Sequence, residues 1–460
     1  MAVARPEPPA QEDEAGAGLT EELIQEIDAA LAEGVTEQAA DRARELHVAD
    51  QADLLEQLTA ERREALVEQL RPLEPELLTW LDETLREEVI DQIGADEAAA
   101  AIAELETDDA IDVLQDLDEA TQIHVLATLD AADRVAVKEG LGYPEDSAGR
   151  LMQRDLVAVP EFWTVGQTID YLRNKQELPD EFYDLFIVNP RFQPVGAIPL
   201  SRILRSKRGV LLAELKLKDM HRIPAALDQE EVAFRFRQYG LVSAPVVNDA
   251  GRLLGVITVD DIVHVIEEEA EEDILRLGGV SETDLFQPPL KTGMARFPWL
   301  LVNLGTAVVA SLVIALFDDV IDRVVALAVL MPIVASMGGN GGTQTVTVVV
   351  RGLAMHEITP ANATRILVKE FIVGGMNGAL FMIIGVGLAT IWYGDPMLGI
   401  LFGLALLLAL VFGSLAGVLI PLLVDRLGLD PAVSSGVFLT TVTDVVAFFS
   451  FLGLATLYLL

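Results

Sequence analysis

One carboxylate in this chain sits where carboxylates are costly. Asp444 lies in FLTTVTDVVAFFSF, inside an apolar run from 432 to 460. A charged side chain near mid-bilayer costs several kcal/mol, so it is either paired or marks an ion route. Pairing could come from Asn340 or from a hydroxyl such as Thr440 or Thr443. No Lys, Arg or His lies in the central turns of either run to neutralise the charge, which makes a cation from solution the simpler partner. A second apolar run reads PIVASMGGNGGTQTVT over 332–347 and carries Asn340 and Gln344. Four residues apart, they share one helical face. Its four glycines loosen the backbone, and loosened backbone at bilayer depth must be buried in protein or line a water-filled cavity. Close helix packing is the competing explanation for small residues. Carboxylate, amide and hydroxyl oxygens together suit a hard cation such as Mg²⁺, Ca²⁺ or Mn²⁺. Mg²⁺ keeps much of its water and is often held by one or two carboxylates. Two copies of Asp444 on a two-fold axis would balance one divalent ion.

These residues need elements to hold them at depth. A helix crosses the hydrocarbon core with about 20 mostly apolar residues, and five stretches qualify: 297–317, 324–350, 371–393, 397–424 and 432–460. Lys291 and Arg296 precede the first stretch, Arg351, Arg365 and Lys369 separate the second from the third, and Arg426 separates the fourth from the fifth. The other side has Arg323 alone among Asp318, Asp319 and Asp322. Basic residues mark the cytoplasmic side, so the N-terminal half is expected in the cytoplasm and the C-terminus outside, in a multi-pass protein of the cell (inner) membrane.

The charge is segregated as sharply as the apolar runs. Beyond residue 296 lie nine of the 72 acids and five of the 32 bases, leaving 63 acids and 27 bases before it, a net charge of −36. Such a surface repels nucleic acid and anionic lipid and accumulates cations; a merely solvated acidic face is the plainer account. With no cysteine, disulfides and thiolate metal sites are excluded. Residues 1–18, rich in Pro, Ala and Glu, lack the apolar core of a signal peptide and read as a disordered tail. Residues 19–150 read as short helices with apolar positions three or four apart (ADLLEQL, ALVEQL, AIDVLQDL, IHVLATL), and 49–58 resembles 107–117 as a degenerate repeat. Stacked helix pairs in a small superhelix follow. Asp108 and Asp109 fall at a helix start, where N-capping is the ordinary role and cation binding the alternative.

After YPEDSAGRLM (143–152) the pattern alternates strand and helix. DLFIVNPRFQPVGAIPLSRIL (184–204) and SAPVVNDAGRLLGVITVDDIVHVI (243–266) share the order strand, turn, strand, helix. Two such copies over 151–266 resemble a tandem pair of cystathionine-β-synthase (CBS) domains, modules that often bind adenosine nucleotides. Gly255, Thr258 and Asp261 match that family's ribose-contacting G-x-x-T-x-x-D pattern, while GAIPLSR in the first copy lacks the Thr and Asp. ATP binding at Thr258 and Asp261 is one reading of these residues; packing and turn formation explain them equally. Next, EEEAEED (267–273) places six carboxylates in seven residues, which repel one another on a helix. That is either a solvated face or a spring relieved by bound cations.

Four motifs in order, YPEDSAGRLM, EEEAEED, P-x₅-GGN-x-G-x-Q from Pro332 to Gln344, and DPA…TDVV from Asp430, resemble the MgtE-type magnesium transporters over nearly the whole chain from Leu46. The resemblance implies a multidomain membrane protein: an all-α superhelical N domain, α/β tandem CBS domains, a connecting plug helix over 267–296 and a five-helix transmembrane domain over 297–460. It further implies a homodimer with a pore on the two-fold axis, in which Asp444 and Asn340 hold Mg²⁺ and Gly339, Gln344 and Thr440 line the route. Glu269, Glu272 and Asp273 would bind regulatory Mg²⁺, with Asp261, Asp430, Asp108 and Asp109 as further ligands. Departures are His264 and Gly240, where some relatives carry acidic regulatory ligands, and Val437 and Ala447, where Pro and Gly are common. No P-loop appears, which favours a channel over a pump, and no nucleophile–base constellation points to an enzyme. A less selective divalent channel and a membrane-anchored receptor that transports nothing are the other readings.

Overall fold

The structure, a computed structural model, describes residues 18–459 except 176–177, 180–181, 218 and 281–284, and the side chains of 434–435. The tail expected over 1–18 lies outside the described residues except for Gly18. The chain divides into two compact units, up to Ile266 and from Glu267.

The first unit begins with helices α1 (Glu21–Ala32) to α10 (Ala131–Gly140), all short and stacked on one apolar core that runs from Ile27 to Val137. Short helices leave many terminal carbonyls without partners, and one device recurs to satisfy them. The fourth residue of a helix reaches back to the C-terminal carbonyls of its predecessor. In α4 (Ala60–Leu70) Arg63 donates to the Leu55 and Leu58 oxygens, and in α6 (Glu83–Ile93) Arg86 donates to those of Thr79 and Leu81. Gln122 in α9 (Glu119–Thr128) and Arg134 in α10 do the same to Leu114 and Leu117, and to Ala127 and Leu129. This is the physical repeat of the superhelix.

Arg86 does more than cap. Its side chain is 8% exposed, and its Nη1 lies 2.9 Å from Asp112 and 2.8 Å from Asp116. Burial pushes the Asp116 carboxyl up to about 7 even with Arg86 beside it holding it down. Removing one partner of a buried pair costs about 3–5 kcal/mol. Arg86→Met is therefore expected to lower the urea midpoint of the helical region by the equivalent of about 3 kcal/mol. An unchanged midpoint would show that the guanidinium is dispensable.

The same unit continues as two copies of one β-α-β-β-α pattern. Strand β1 (Ala158–Pro160), helix α11 (Val165–Asn174), strands β2 (Asp184–Val188) and β3 (Pro194–Pro199) and helix α12 (Leu200–Leu204) form the first; α13 (Leu212–Leu215) follows. Strand β4 (Ile223–Pro224), helix α14 (Gln229–Tyr239), strands β5 (Ser243–Val247) and β6 (Leu253–Thr258) and helix α15 (Val259–Gly278) form the second. In each sheet the first pair is parallel and the second antiparallel, with a register shift at 187/188 and again at 246/247. The hairpin turns match atom for atom. Asn189 Oδ1 accepts from the Arg191 and Gln193 amides, and Asn248 Oδ1 from those of Ala250 and Arg252. Ser243 Oγ donates to Asp184 Oδ2 at 2.7 Å, joining the first residues of the two equivalent strands.

The second unit is a bundle of long helices: α16 (Pro289–Ala315), the short α17 (Asp318–Arg323), α18 (Ala326–Ala354), α19 (Ala363–Tyr393), α20 (Pro396–Arg426) and α21 (Pro431–Leu459). Among the described residues four helices are long and apolar enough to cross a membrane: α16, α19, α20 and the 436–459 stretch of α21. The 29-residue α18 is not among them, because Asn340, Gln344, three threonines and four glycines dilute its middle. Contrary to the loosened backbone expected there, α18 is one unbroken helix through Pro332 and GGNGG. Its glycines divide by direction. Gly338 and Gly342 are buried against α20, where a Cβ on Gly417 would stand 2.7 Å from the Gly342 oxygen. Gly339 points elsewhere, with Thr443 Oγ1 of α21 the nearest atom at 3.9 Å from a built Cβ. Packing explains the first two, and leaves Gly339 and Asn340 for chemistry.

Candidate functional site

Asp444 is partly exposed on α21 and makes no hydrogen bond or ion pair with any described residue. The pairing alternatives are not realised. Thr443, buried, donates to the Leu439 and Thr440 oxygens at 3.0 Å, and Thr440 donates to the Gly436 oxygen at 3.0 Å. Both hydroxyls are spent on their own helix. Asn340 Nδ2 reaches Ser336 Oγ at 3.5 Å rather than Asp444. Asn340 and Gln344 share a face, and together they line a cavity closed by α19 and α20. Val437 and Ala447, the two departures near Asp444, are both buried, Ala447 in the cluster with Phe402 and Phe451. Among the described residues, then, this acid in an apolar helix has no counter-charge.

Two further acidic groupings lie outside the membrane helices. In the first unit, α8 (Thr107–Gln115) starts next to α15. Its N-cap is Glu106, without a side-chain cap hydrogen bond, and Asp108 and Asp109 lie in its first turn. Asp108 Oδ1 is instead buried with no hydrogen-bond partner among the described residues. Burial, then Asp261, then Asp109, hold the Asp108 carboxyl well above the usual range. Burial and the nearby Asp261 and Glu106 push Asp109 up to about 7, and burial pushes Asp261 up to about 6. Thr258 offsets part of this, its amide and Oγ1 donating to Asp261 Oδ2 at 3.4 and 2.9 Å. Thr258 and Asp261 are thus each other's partners. Glu106 is raised by burial and by Asp261, Asp155 and Asp260. Crowded carboxylates without a cation keep protons that water would remove, and the buried, unpartnered Asp108 oxygen fits a cation-binding role. Among the described residues no three His, Asp or Glu side chains converge as a cage for a bare ion; this cluster suits a hydrated ion held through its waters.

The departures have local reasons. His264 lies edge-on to Trp80, ring centroids 4.8 Å apart, and so is engaged in packing. Gly240 ends α14 at φ 60°, a left-handed position where an acidic side chain would be strained.

The second grouping belongs to the other unit. Arg276 Nη1 lies 2.5 Å from Asp430 Oδ2, and the same guanidinium also pairs with Glu272. Asp430 Oδ1 accepts from the Ala432 amide at 2.7 Å at the start of α21. Burial, then Asp430, raise the Asp273 carboxyl. Glu272 and Asp430 therefore share a built-in cation, Arg276, with Asp273 close to Asp430 and Glu269 one turn earlier on α15. Arg276 was legible as the i+4 partner of Glu272; its reach to Asp430, 154 residues away, was not.

A pH dependence follows for the first grouping. The folded-state pKa values of Asp109 and Asp261 lie above the unfolded value of about 3.9, so the native state binds more protons between about pH 4 and 7. The contribution of these two groups to stability is full below pH 4 and is lost as pH rises through 6 and 7. With Mg²⁺ chelated, the first unit of the full-length protein is expected to melt several degrees lower at pH 8 than at pH 5.5. The loss corresponds to about 3 kcal/mol, at about 1.36 kcal/mol per pKa unit. A melting temperature that rises with pH would contradict this geometry.

Comparison with known proteins agrees with the layout. Residues 331–454 match the family model MgtE, described as a divalent cation transporter; residues 46–146 match the MgtE intracellular N domain and residues 212–268 the CBS domain. The chain is 32% identical over 325 residues to the magnesium transporter MgtE of Bacillus subtilis (strain 168), covering 70% of this chain and 72% of that one. It is 34% identical over 329 residues to the magnesium transporter MgtE of Thermus thermophilus, covering 71% and 73%. A crystal structure of the cytosolic domain of the Mg²⁺ channel MgtE in complex with ATP aligns with a TM-score of 0.48 at 29% identity, over 53% of this chain and 99% of that one.

Proposed function

We propose, since this chain belongs to the MgtE family of divalent cation transporters, that it is a homodimeric channel importing Mg²⁺ into the cytoplasm. The carrying observation is Asp444, a carboxylate in an apolar helix with no hydrogen bond or ion pair to any described residue. Asp444 attracts the hydrated ion, Asn340, Gly339, Gln344 and Thr440 face its route, and a second copy supplies the other half of the charge. All five helices α16, α18, α19, α20 and α21 cross the membrane in this reading. The weakly apolar α18 lies inside the assembly, with the N-terminus cytoplasmic and the C-terminus outside. An inside-negative potential contributes about 4.6 kcal/mol per 100 mV for a divalent ion, twice the roughly 2.3 for one charge.

Gating uses the two acidic groupings. Intracellular Mg²⁺ neutralises Asp108, Asp109 and Asp261, and bridges Glu269, Glu272, Asp273 and Asp430 beside Arg276. The bridged form is closed; loss of Mg²⁺ restores repulsion and opens the pore. This is a two-state element biased by differential cation affinity. α15, which carries both Asp261 and the 269–273 acids, acts as the plug that couples sensor to pore. ATP at the second CBS-like copy would need Asp261 to exchange Thr258 for a ribose hydroxyl, so nucleotide and cation draw on one carboxylate.

The reading is tested by Mg²⁺ uptake into liposomes holding the purified protein, with Mn²⁺, Co²⁺ and Ca²⁺ as competitors. Uptake with weak competition supports a Mg²⁺ channel. Absence of any flux would support the receptor reading instead.

A further inference from the structure

Glu370 is a membrane carboxylate that the Asp444 route does not use. The apolar run suggests a boundary at Phe371, with Glu370 outside beside Arg365 and Lys369. The structure starts α19 at Ala363, which carries Glu370 two turns into the bundle. Its side chain is only 12% exposed, and Thr345 Oγ1 of α18 donates to Oε2 at 3.2 Å. Lys369 Nζ stands 3.4 Å from Oε1 but is itself 67% exposed. Adjacent helix residues do not face each other, and a largely exposed lysine is a weak counter-ion, worth about 1 kcal/mol or less.

The carboxylate opens on a cavity of about 200 Å³. Three helices bring oxygen donors to it: Asn340 and Gln344 from α18, Asn377 from α19 and Ser414 from α20. Gly374, one turn beyond Glu370, keeps the wall open, since a Cβ there would stand 2.8 Å from Ser414 Oγ. Water occupies about 30 Å³ per molecule in the liquid, so the space suits about six waters, a hydration shell. One carboxylate with amide and hydroxyl oxygens is a hard-cation donor set.

We infer that each protomer carries a second divalent-cation site in the membrane half, with Glu370 as the charged ligand and Asn377 and Ser414 holding the ion's waters. The inference rests on the cation-transport reading only for the class of ion. Its test reads binding, so the two can fail separately.

Free Mn²⁺, counted by electron paramagnetic resonance at saturation, is the probe for full-length protein in detergent. Glu370→Gln is expected to lower the bound count by one per chain, and Asn377→Leu to weaken that equivalent at least 10-fold. The equivalent lost in Asp444→Asn remains in both. A Glu370→Gln protein with wild-type size-exclusion behaviour and an unchanged count overturns the inference. Should Glu370→Gln not fold, an undiminished Mn²⁺ affinity in both Asn377→Leu and Ser414→Val overturns it equally.

Discussion

Asp444→Ala is expected to reduce Mg²⁺ uptake into liposomes by about 100-fold or more, with assembly and melting temperature little changed. A divalent ion about 5 Å from one carboxylate, at an effective dielectric of about 20, gains about 6–7 kcal/mol. If half is returned as desolvation, about 3 kcal/mol remains, and each 1.4 kcal/mol is tenfold. The side chain makes no hydrogen bond or ion pair with any described residue, so its removal breaks no such contact among them. Asp444→Glu should restore part of the flux, because the charge returns at a different reach. Uptake within twofold of wild type in the Ala variant would take this residue out of the pathway.

The second large effect concerns closure. Replacing Glu269, Glu272 and Asp273 by Gln, Gln and Asn is expected to leave the channel conducting at millimolar internal Mg²⁺, with open probability at least tenfold above wild type. Moving a two-state equilibrium from 1:99 to 99:1 needs a differential affinity of about 10⁴. That is more than one exposed ion pair provides, so the proposed closure calls for several carboxylates sharing the ion. Neutral amides keep the shape and lose the charge that binds it. Arg276 stays paired with Asp430 in this variant, so α15 is not simply released from α21. Closure at wild-type Mg²⁺ concentrations would show that the sensor lies elsewhere.

How much could be read beforehand depends on the range of the physics. Helix periodicity and the paired strand-turn-strand-helix pattern are local, so the short helices, the two β-α-β-β-α copies and the long apolar helices were legible. Packing direction was not. Nothing in GGNGG says which glycines meet α20, and only the structure separates Gly338 and Gly342 from Gly339. Pairing at long range was also hidden. Asp108 and Asp109 admit both capping and cation binding in the sequence, and the structure brings Asp261 beside them. Glu370 falls just outside the 371–393 apolar run, beside Arg365 and Lys369, whereas its helix begins at Ala363. Long basic side chains near helix ends reach back to the interface while their helix continues, so basic residues bound the apolar layer more loosely than apolar length suggests. The arginines that cap preceding helices were visible in sequence, but their shared fourth position was recognisable only once helix starts were known.

Manganese provides the most direct look at the acid on which everything turns. Diffraction from crystals of the protein soaked in Mn²⁺, collected at the manganese edge, should give an anomalous peak beside Asp444. The distance should be that of a carboxylate holding a partly hydrated ion, and the peak should be lost in Asp444→Asn. An empty site in Mn²⁺-soaked crystals, with Asp444 turned to lipid or hydrogen-bonded within a sealed bundle, would contradict the account.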